Sequence, residues 1–547
     1  MQNPQKKTYD VCIIGSGASG GMTAHTLTQA GLDCVMLEAG PLRKVSDFPV
    51  HRIRRWNLPQ RGLRGDYFQE WLTQTNFLAD PAKEPYSTAG PEPFEFWRVR
   101  AVGGKSLFWA GVTPRFGPKE FSPDDDFDTR WPVSYADIAP FYDRVESLIG
   151  VSSTLEAVGD FPLNKGLAPF RPKPAEVALT KACEGLSRGL KVLPIPKAIL
   201  SQDHRGRPAC HYCGPCWQGC DSGSKFDSLR VFVTAARNTG KLTLLPNARV
   251  RSVELGKEGK AQKAVYFNTE TRTWEEVQAK AFVLCAGAIE SAHILLNSQI
   301  ANSSGLVGRY LSEHLYAGVS GHLPQLMNRP VRNEDGNGAH VFIPDLTKNW
   351  RGNKFIRGYQ IFPTGGTGEF TLVGNNIPGF GAAWMENVRR YYTAGVSVLF
   401  QGEVLPYRDN RIEIDPKLKD DAGIPALRFH YSWRDNERAM FRDMIEVGNE
   451  ILAAAGAEML PNPNPKPLEY GHSIHYVGTA RMGNDPRSSV TNPWNQSHDV
   501  PNLFLHDAAP FVTAGNQNPT LTILAFALRS SERLVELMRR NTWTLPA

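Results

Sequence analysis

The 547-residue chain contains no run of about 18 apolar residues, so no segment is long enough to cross a bilayer as a helix. Its start lacks the apolar stretch and small-residue cleavage site of a secretory signal, and goes from a short polar lead directly into strand-like sequence at Tyr9. Export is therefore expected to need a carrier. Blocks of Lys and Arg interleaved with aromatics are missing and the net charge is only +6, which argues against a nucleic-acid partner. Cysteine is sparse. Of eight, Cys12, Cys34 and Cys285 sit in apolar strand-like runs and Cys183 in a helix-like one, where the residue acts as a small hydrophobe, so no extended disulfide framework is implied. Hydrophobic residues at 41% and charged residues at 21% exclude disorder, and the length implies two domains or one interleaved pair.

The four remaining cysteines, Cys210, Cys213, Cys216 and Cys220, fall within eleven residues at the spacing C-x2-C-x2-C-x3-C. Such spacing lets several thiolates converge on one inorganic core, and soft thiolate sulfur is the ligand that iron in a cluster prefers. A structural zinc knot, a pair of disulfides, or a redox dithiol at Cys213-Gly-Pro-Cys216 are the alternatives. The Cys-Gly-Pro-Cys segment has no strand–turn–helix context and is flanked by two further cysteines, which favours the cluster.

Near the start, Tyr9 to Ile14 reads as a buried strand. Gly15-Ser-Gly17-Ala18-Ser-Gly20 follows, then a helix-periodic stretch to Ala30 and a second strand from Asp33 to Leu37 that ends at Glu38. This is a βαβ dinucleotide-binding unit. Gly15 permits the tight turn, Gly17 lets the backbone and Ala18 approach a pyrophosphate, and Gly20 lets helix and strand pack closely. Glu38 is placed to accept from ribose hydroxyls. The fingerprint by itself does not choose between NAD and FAD. Gly103-Gly104-Lys-Ser106, covered by Phe108 and Trp109, is a glycine-rich loop suited to lie against a flat isoalloxazine. Toward the C-terminus, residues 500–510 and 516–522 read as a strand, a loop and a helix opened by Pro519.

Together these segments resemble the glucose-methanol-choline (GMC) flavoprotein oxidoreductases. The resemblance extends to Asn247–Val250 with a following β-meander, to Ala281–Ser291, and to Gly308-Arg-Tyr-Leu-Ser-Glu-His314, and so covers nearly the whole chain. It implies an α/β fold in which a Rossmann-like FAD-binding domain is interleaved with an antiparallel-sheet substrate-binding domain. Residues 1–50, 95–115, 205–314 and 466–547 would form the first, and 51–94, 116–204 and 315–465 the second with its cap segments. The resemblance further implies that Val250 holds the adenine by its backbone, that Gly287 and Asp507 lie along the FAD, and that Asn518 and Thr520 stand at the flavin end.

The catalytic pair implied by the resemblance is His475 and Asn518. Oxidising a carbinol requires removing the hydroxyl proton as hydride leaves carbon, and a neutral imidazole suits that task near neutral pH. Asn518 would orient the same hydroxyl. His472, three residues earlier, is the rival base, and would either share a helix face with His475 or simply be exposed. Some sugar oxidases of the family attach FAD through a histidine just before the tryptophan of the glycine-rich loop. Here that position is Phe108, so FAD is expected to be non-covalent. The cysteine pattern is similar to that of bacterial FAD-dependent sugar dehydrogenases, in which Cys210, Cys216 and Cys220 would hold a [3Fe-4S] cluster. Cys213 is extra and makes [4Fe-4S] chemically possible.

A cluster beside a two-electron flavin implies release of electrons one at a time to a cytochrome c-type acceptor, and hence a dehydrogenase. The expected substrate is a pyranose or glucoside oxidised at C3, because the C-terminal block is similar to glucoside 3-dehydrogenase-like sequences. Alternatives are an O2-dependent pyranose or C-glycoside oxidase, a glucose 1-dehydrogenase, and a non-catalytic electron-transfer scaffold. Family resemblance also implies a small hitch-hiker subunit that carries the export signal, giving a periplasmic location, with the cytoplasm as the alternative. Gln401 and Glu403 alternate on an expected strand from Ser397 to Val404, where they could face a sugar but a salt-bridged surface is the expectation.

Overall fold

The computed structural model describes residues 7–44, 47, 77–90, 92–122, 129–153, 161–162, 166–214, 216–332, 338–344, 354–366, 377, 379–460 and 465–544. Residues 1–6, most of the segment 51–94 and Pro215 of the cysteine motif lie outside the described residues.

The strand Thr8–Ile14 ends in Val11-Cys-Ile-Ile14, with every one of these side chains almost fully buried. A strand apolar on both faces needs cover on both, and that is the position of a parallel strand in a layered α/β sheet. It pairs in parallel with Cys34–Leu37 on one side and with Thr273–Leu284 on the other. The helix Ala18–Gln29 makes the crossover. Leu242–Leu245 extends the sheet beyond Cys34–Leu37.

Thr273–Leu284 serves two roles, legible in its burial. Its first residues are exposed or half-buried and pair antiparallel with Ala261–Asn268, which pairs in turn with Ala248–Leu255. Its last four are buried and accept Leu503–Leu505 as a parallel neighbour. The seven strands of this sheet thus come from three distant parts of the chain. The C-terminal helix Thr520–Arg540, with Pro519 at its N-cap, packs on Ala18–Gln29.

A second, antiparallel sheet has the order Tyr359–Gly365, Gly395–Glu403, His314–His322, Glu458–Met459. The amphipathic helix Asp435–Ala454 lies over it through buried Met440, Met444, Val447 and Ile451, at helical spacing. Residues opposite one another in such a ladder share a face. His314 lies opposite Glu403, and Tyr316, Gln401 and Gln360 form a row across three strands. The surface expectation for this strand is overturned: Gln401 is fully buried and Glu403 is 3% exposed. No described helix is long and apolar enough to cross a membrane.

Candidate active site

The first βαβ turn is packed with no tolerance at two glycines. Gly15 has φ of +102°, and a Cβ there would lie 2.4 Å from the Cys285 carbonyl oxygen. A Cβ on Gly20 would lie 2.0 Å from the Gly15 carbonyl oxygen. A Cβ on Gly17 would meet nothing within 4 Å, and Gly17 caps the helix with no side chain bonded to its first N–H groups. Ala18 is the first residue of that helix. Free backbone donors at the positive end of a helix dipole, with open space in front, form a cradle for an anionic diphosphate.

The loop of Gly103, Gly104 and Ser106 is knitted to this turn. The Gly103 N–H donates to Ser16 Oγ at 2.9 Å, and Ser106 Oγ accepts from the Ser228 N–H at 2.9 Å. The Ser228 hydroxyl in turn donates toward the carbonyls of Ser16 and Gly17. Glu38, buried at the end of the second strand, accepts from Ser16 N–H and Oγ–H and from the Gly40 N–H. Burial pushes its carboxyl pKa up, against those hydrogen bonds. Gly287, at φ +91° and with no atom within 4 Å of its virtual Cβ, caps the helix Ala288–Ser298. Asp507 accepts from the N–H groups of Gly287 and Ala509, at 3.0 and 2.9 Å. Val250 lies on the strand Ala248–Leu255, opposite Tyr266, where the ladder register shifts.

These donors, open glycines and helix ends suit an FAD. Phe108, 4% exposed and packed edge-on to Phe77, offers no nucleophile for a covalent link. Acid precipitation is therefore expected to leave all the flavin in the supernatant. Flavin retained in the pellet after washing would contradict a non-covalent cofactor.

His475 and Asn518 are 43 residues apart in sequence and meet in space, with Asn518 Nδ2 3.4 Å from His475 Nε2. Asn518 Oδ1 accepts from Gln360 Nε2 at 3.2 Å, which turns the amide nitrogen toward the imidazole. On the other side, His475 Nδ1 lies 2.9 Å from His314 Nδ1, and His314 Nε2 lies 2.9 Å from the Gly515 carbonyl oxygen. Gln401 Nε2 donates to the Asn516 carbonyl at 2.8 Å, and the Tyr316 hydroxyl donates to Gln401 Oε1. The buried row on the second sheet thus holds the loop that carries Asn518. Thr520 is the first residue of the C-terminal helix just beyond.

Burial, His314 and Lys105 hold the His475 pKa well below the ordinary histidine range, so its ring is neutral at physiological pH. Burial, opposed by Glu290 and Glu313, brings Lys105 itself down to about 7. His472 does not share a helix with His475. It lies in a turn with its Nδ1 3.1 Å from Glu95 Oε2, and despite burial that carboxylate raises its pKa. His314, Gln360 and Lys105 carried no role from the sequence alone, and Gln401 was expected at a surface. The motif ending in His314, the lysine inside the glycine-rich loop and the strand alternation around Gln401 were the local signals.

Cys12, Cys34, Cys183 and Cys285 are buried. Cys210, Cys216 and Cys220 are partly buried, Cys213 is exposed, and none of the four is in a disulfide. Among the described residues no three of their sulfurs lie within 4.8 Å of one another, and the grouping that does is Glu95, Glu469 and His472. Four thiolates on one zinc ion would stand about 3.8 Å apart, so the single-ion knot does not match this arrangement. Cys210 Sγ accepts from the Tyr212 N–H and Cys220 Sγ from the Lys225 N–H, both at 3.4 Å. Fully buried Lys225 donates from Nζ to the carbonyls of Leu107, Trp109 and Cys216, which ties the cysteine segment to the glycine-rich loop.

Residues 19–316 and 406–527 match the N-terminal and C-terminal models of the GMC oxidoreductase family. The chain is 32% identical to the 2-methyl-1,2-propanediol dehydrogenase of Mycolicibacterium austroafricanum, over 96% of this chain and 94% of that one. It is 27% identical to the fructose dehydrogenase large subunit of Gluconobacter japonicus, over 97% and 98%. The fold also superposes on the crystal structure of pyridoxine 4-oxidase from Mesorbium loti with a TM-score of 0.64, at 19% identity, covering 96% and 99% of the two chains. A dinucleotide cradle, a sheet-borne polar row around a neutral histidine, and family matches across both halves of the sequence lead to one assignment: the chain belongs to the GMC oxidoreductases, FAD enzymes acting on CH–OH donors.

Proposed function

We propose that this protein is an FAD-dependent sugar dehydrogenase that oxidises a ring hydroxyl of a pyranose or glucoside, at C3, to the ketone. The observation that carries the reading is the juxtaposition of His475 Nε2 and Asn518 Nδ2, which lie 3.4 Å apart. A carbinol hydroxyl placed between them donates its proton to Nε2 and accepts from the amide. FAD, when bound, supplies the hydride acceptor at N5. His475 removes the hydroxyl proton and Asn518 fixes the oxygen. Support for a sugar comes from the similarity to a fructose dehydrogenase subunit and from the C-terminal block.

Electron exit is proposed through an iron–sulfur cluster held by Cys210, Cys216 and Cys220, of the three-iron type, with a cytochrome c-type acceptor. A cluster spreads its ligands over several iron atoms, so its thiolates stand farther apart than those around one ion. The N–H groups directed at Cys210 and Cys220 are of the kind that tune such sulfurs. A small partner subunit carrying the export signal, and a periplasmic location, belong to the same proposal, supported by the designation of one relative as a large subunit. The division into an FAD-binding domain (1–50, 95–115, 205–314, 466–547) and a substrate domain (51–94, 116–204, 315–465) is likewise proposed.

An anaerobic visible and EPR spectrum before and after a methyl glucoside tests the reading. Flavin bleaching with a change in an iron–sulfur signal is expected. Bleaching by 1,2-propanediols but not by glucosides would move the substrate to small aliphatic diols, and flavin without iron would overturn the cluster. Serine at Cys210, Cys216 or Cys220 is expected to abolish reduction of a one-electron acceptor while substrate still bleaches the flavin. Cys213→Ser is expected to spare acceptor reduction, and its loss would indicate a four-cysteine cluster.

A further inference from the structure

We infer that His314 is a positioning residue that sets the tautomer of His475 and so keeps the His475 Nε2 lone pair directed at the substrate hydroxyl. The inference rests on the reading of His475 as the base.

The argument runs along a chain of hydrogen bonds from a group whose role is fixed. A backbone carbonyl only accepts, so His314 Nε2, 2.9 Å from the Gly515 oxygen, must carry hydrogen. His314 is 1% exposed, and burial brings its pKa down to about 4, so the ring is neutral and holds one N–H. Its Nδ1 is therefore a bare lone pair. That lone pair faces His475 Nδ1 at 2.9 Å, a distance at which one nitrogen has to donate, and only His475 can. With its one hydrogen on Nδ1, neutral His475 presents a bare Nε2.

The amide orientations at the opposite end of the network agree with this result. Gln360 donates to Asn518 Oδ1, so Asn518 Nδ2 points its hydrogens at His475 Nε2, which must accept. The other tautomer would set two lone pairs against each other at Nδ1 and two N–H groups against each other at Nε2. Without His314, the hydrogen bond that selects between the two forms on the Nδ1 side is lost, and an Nε2–H form cannot take the hydroxyl proton.

The surrounding contacts hold both rings in this relation. The Ser473 hydroxyl accepts from the backbone N–H of His314 at 3.2 Å and of His475 at 3.3 Å, and donates to Glu313 Oε2 at 2.8 Å. Glu313 also accepts from the Gly471 N–H. Between Ser473 and His475 stands Ile474 at φ +55°, a left-handed conformation costly for a β-branched residue and maintained by these contacts. Gly515 gives its N–H to Glu403, the residue opposite His314 on the neighbouring strand, so the acceptor carbonyl is held from the same face.

Two variants and one spectrum test the inference. His314→Phe fills the space and removes the acceptor, whereas His314→Asn keeps an acceptor oxygen at the Nδ1 position. The Phe variant is expected to slow substrate-driven flavin bleaching by about 10²–10³-fold at unchanged flavin content, and the Asn variant by less than about tenfold. In protein labelled with nitrogen-15 in its imidazoles, the signal lost in His475→Ala is expected to show a protonated Nδ1 and a bare Nε2. Equal rates for wild type and His314→Phe, equal losses for Phe and Asn, or a protonated Nε2 on His475 would each overturn the inference. Should His314→Phe fail to take up flavin, the wild-type spectrum and the Asn variant still decide. Wild-type bleaching in His475→Ala would instead overturn the assignment of the base.

Discussion

Replacing His475 by alanine is expected to slow substrate-driven bleaching of the flavin by about 10²–10⁴-fold, the range that a positioned general base contributes. FAD content should stay at the wild-type level, because the turn at Gly15–Gly20, the loop at Gly103–Ser106 and Asp507 lie on other segments of the chain. The same residue predicts a pH dependence. Burial, His314 and Lys105 hold the His475 pKa well below 6.5, so the neutral form that accepts a proton persists as pH falls through the usual histidine range. The bleaching rate is therefore expected to be flat from neutrality to below pH 6.5 and to drop only at lower pH. An acid limb at or above 6.5 would show that another group, such as His472 with its raised pKa, controls the step.

Gly20→Ala is the substitution expected to remove the cofactor. A methyl group there would meet the Gly15 carbonyl oxygen at 2.0 Å and the Gly15 carbonyl carbon at 2.9 Å. Both are backbone atoms of the turn that faces the proposed diphosphate, and Gly15 itself cannot retreat, since its own position abuts the Cys285 carbonyl. Relief must come from displacing the helix Ala18–Gln29 or opening the turn, which costs about 1–3 kcal/mol or more and moves the N–H donors away from the phosphates. Flavin absorbance per chain is expected to fall to near zero. Gly185→Ala is the control: it ends the helix Pro174–Gly185, has nothing within 4 Å of the added carbon, and should keep full flavin content. Stoichiometric flavin in Gly20→Ala would show that this turn does not hold the cofactor.

The parts of the protein that rest on local covalent and steric rules were legible in the sequence. The strand at Thr8–Ile14, the glycine turn and the crossover helix are set by an apolar run, by two glycine positions that exclude a side chain, and by helical periodicity, all within about 30 residues. Pro519 marks the start of the C-terminal helix because its missing N–H has no consequence there. Motif order also placed His475 and Asn518 near one another, although only by family pattern.

Tertiary structure decided what surrounds them. Gln401 and Glu403 alternate with apolar residues on a strand, a pattern equally consistent with a wet surface, and became buried because the loop 514–518 closes over that face of the sheet. His472 and His475 are three residues apart, which suggested a shared helix face, but the left-handed Ile474 turns the chain between them. One histidine then reaches Glu95 and the other His314. The sequence by itself determined the nucleotide-binding turn, the elements that flank it and the identity of the residues available for chemistry. Which nitrogen of His475 is bare was decided only by folding, because a tautomer depends on partners from residues 314, 360, 515 and 518, brought together by a sheet and a loop that no local pattern encodes.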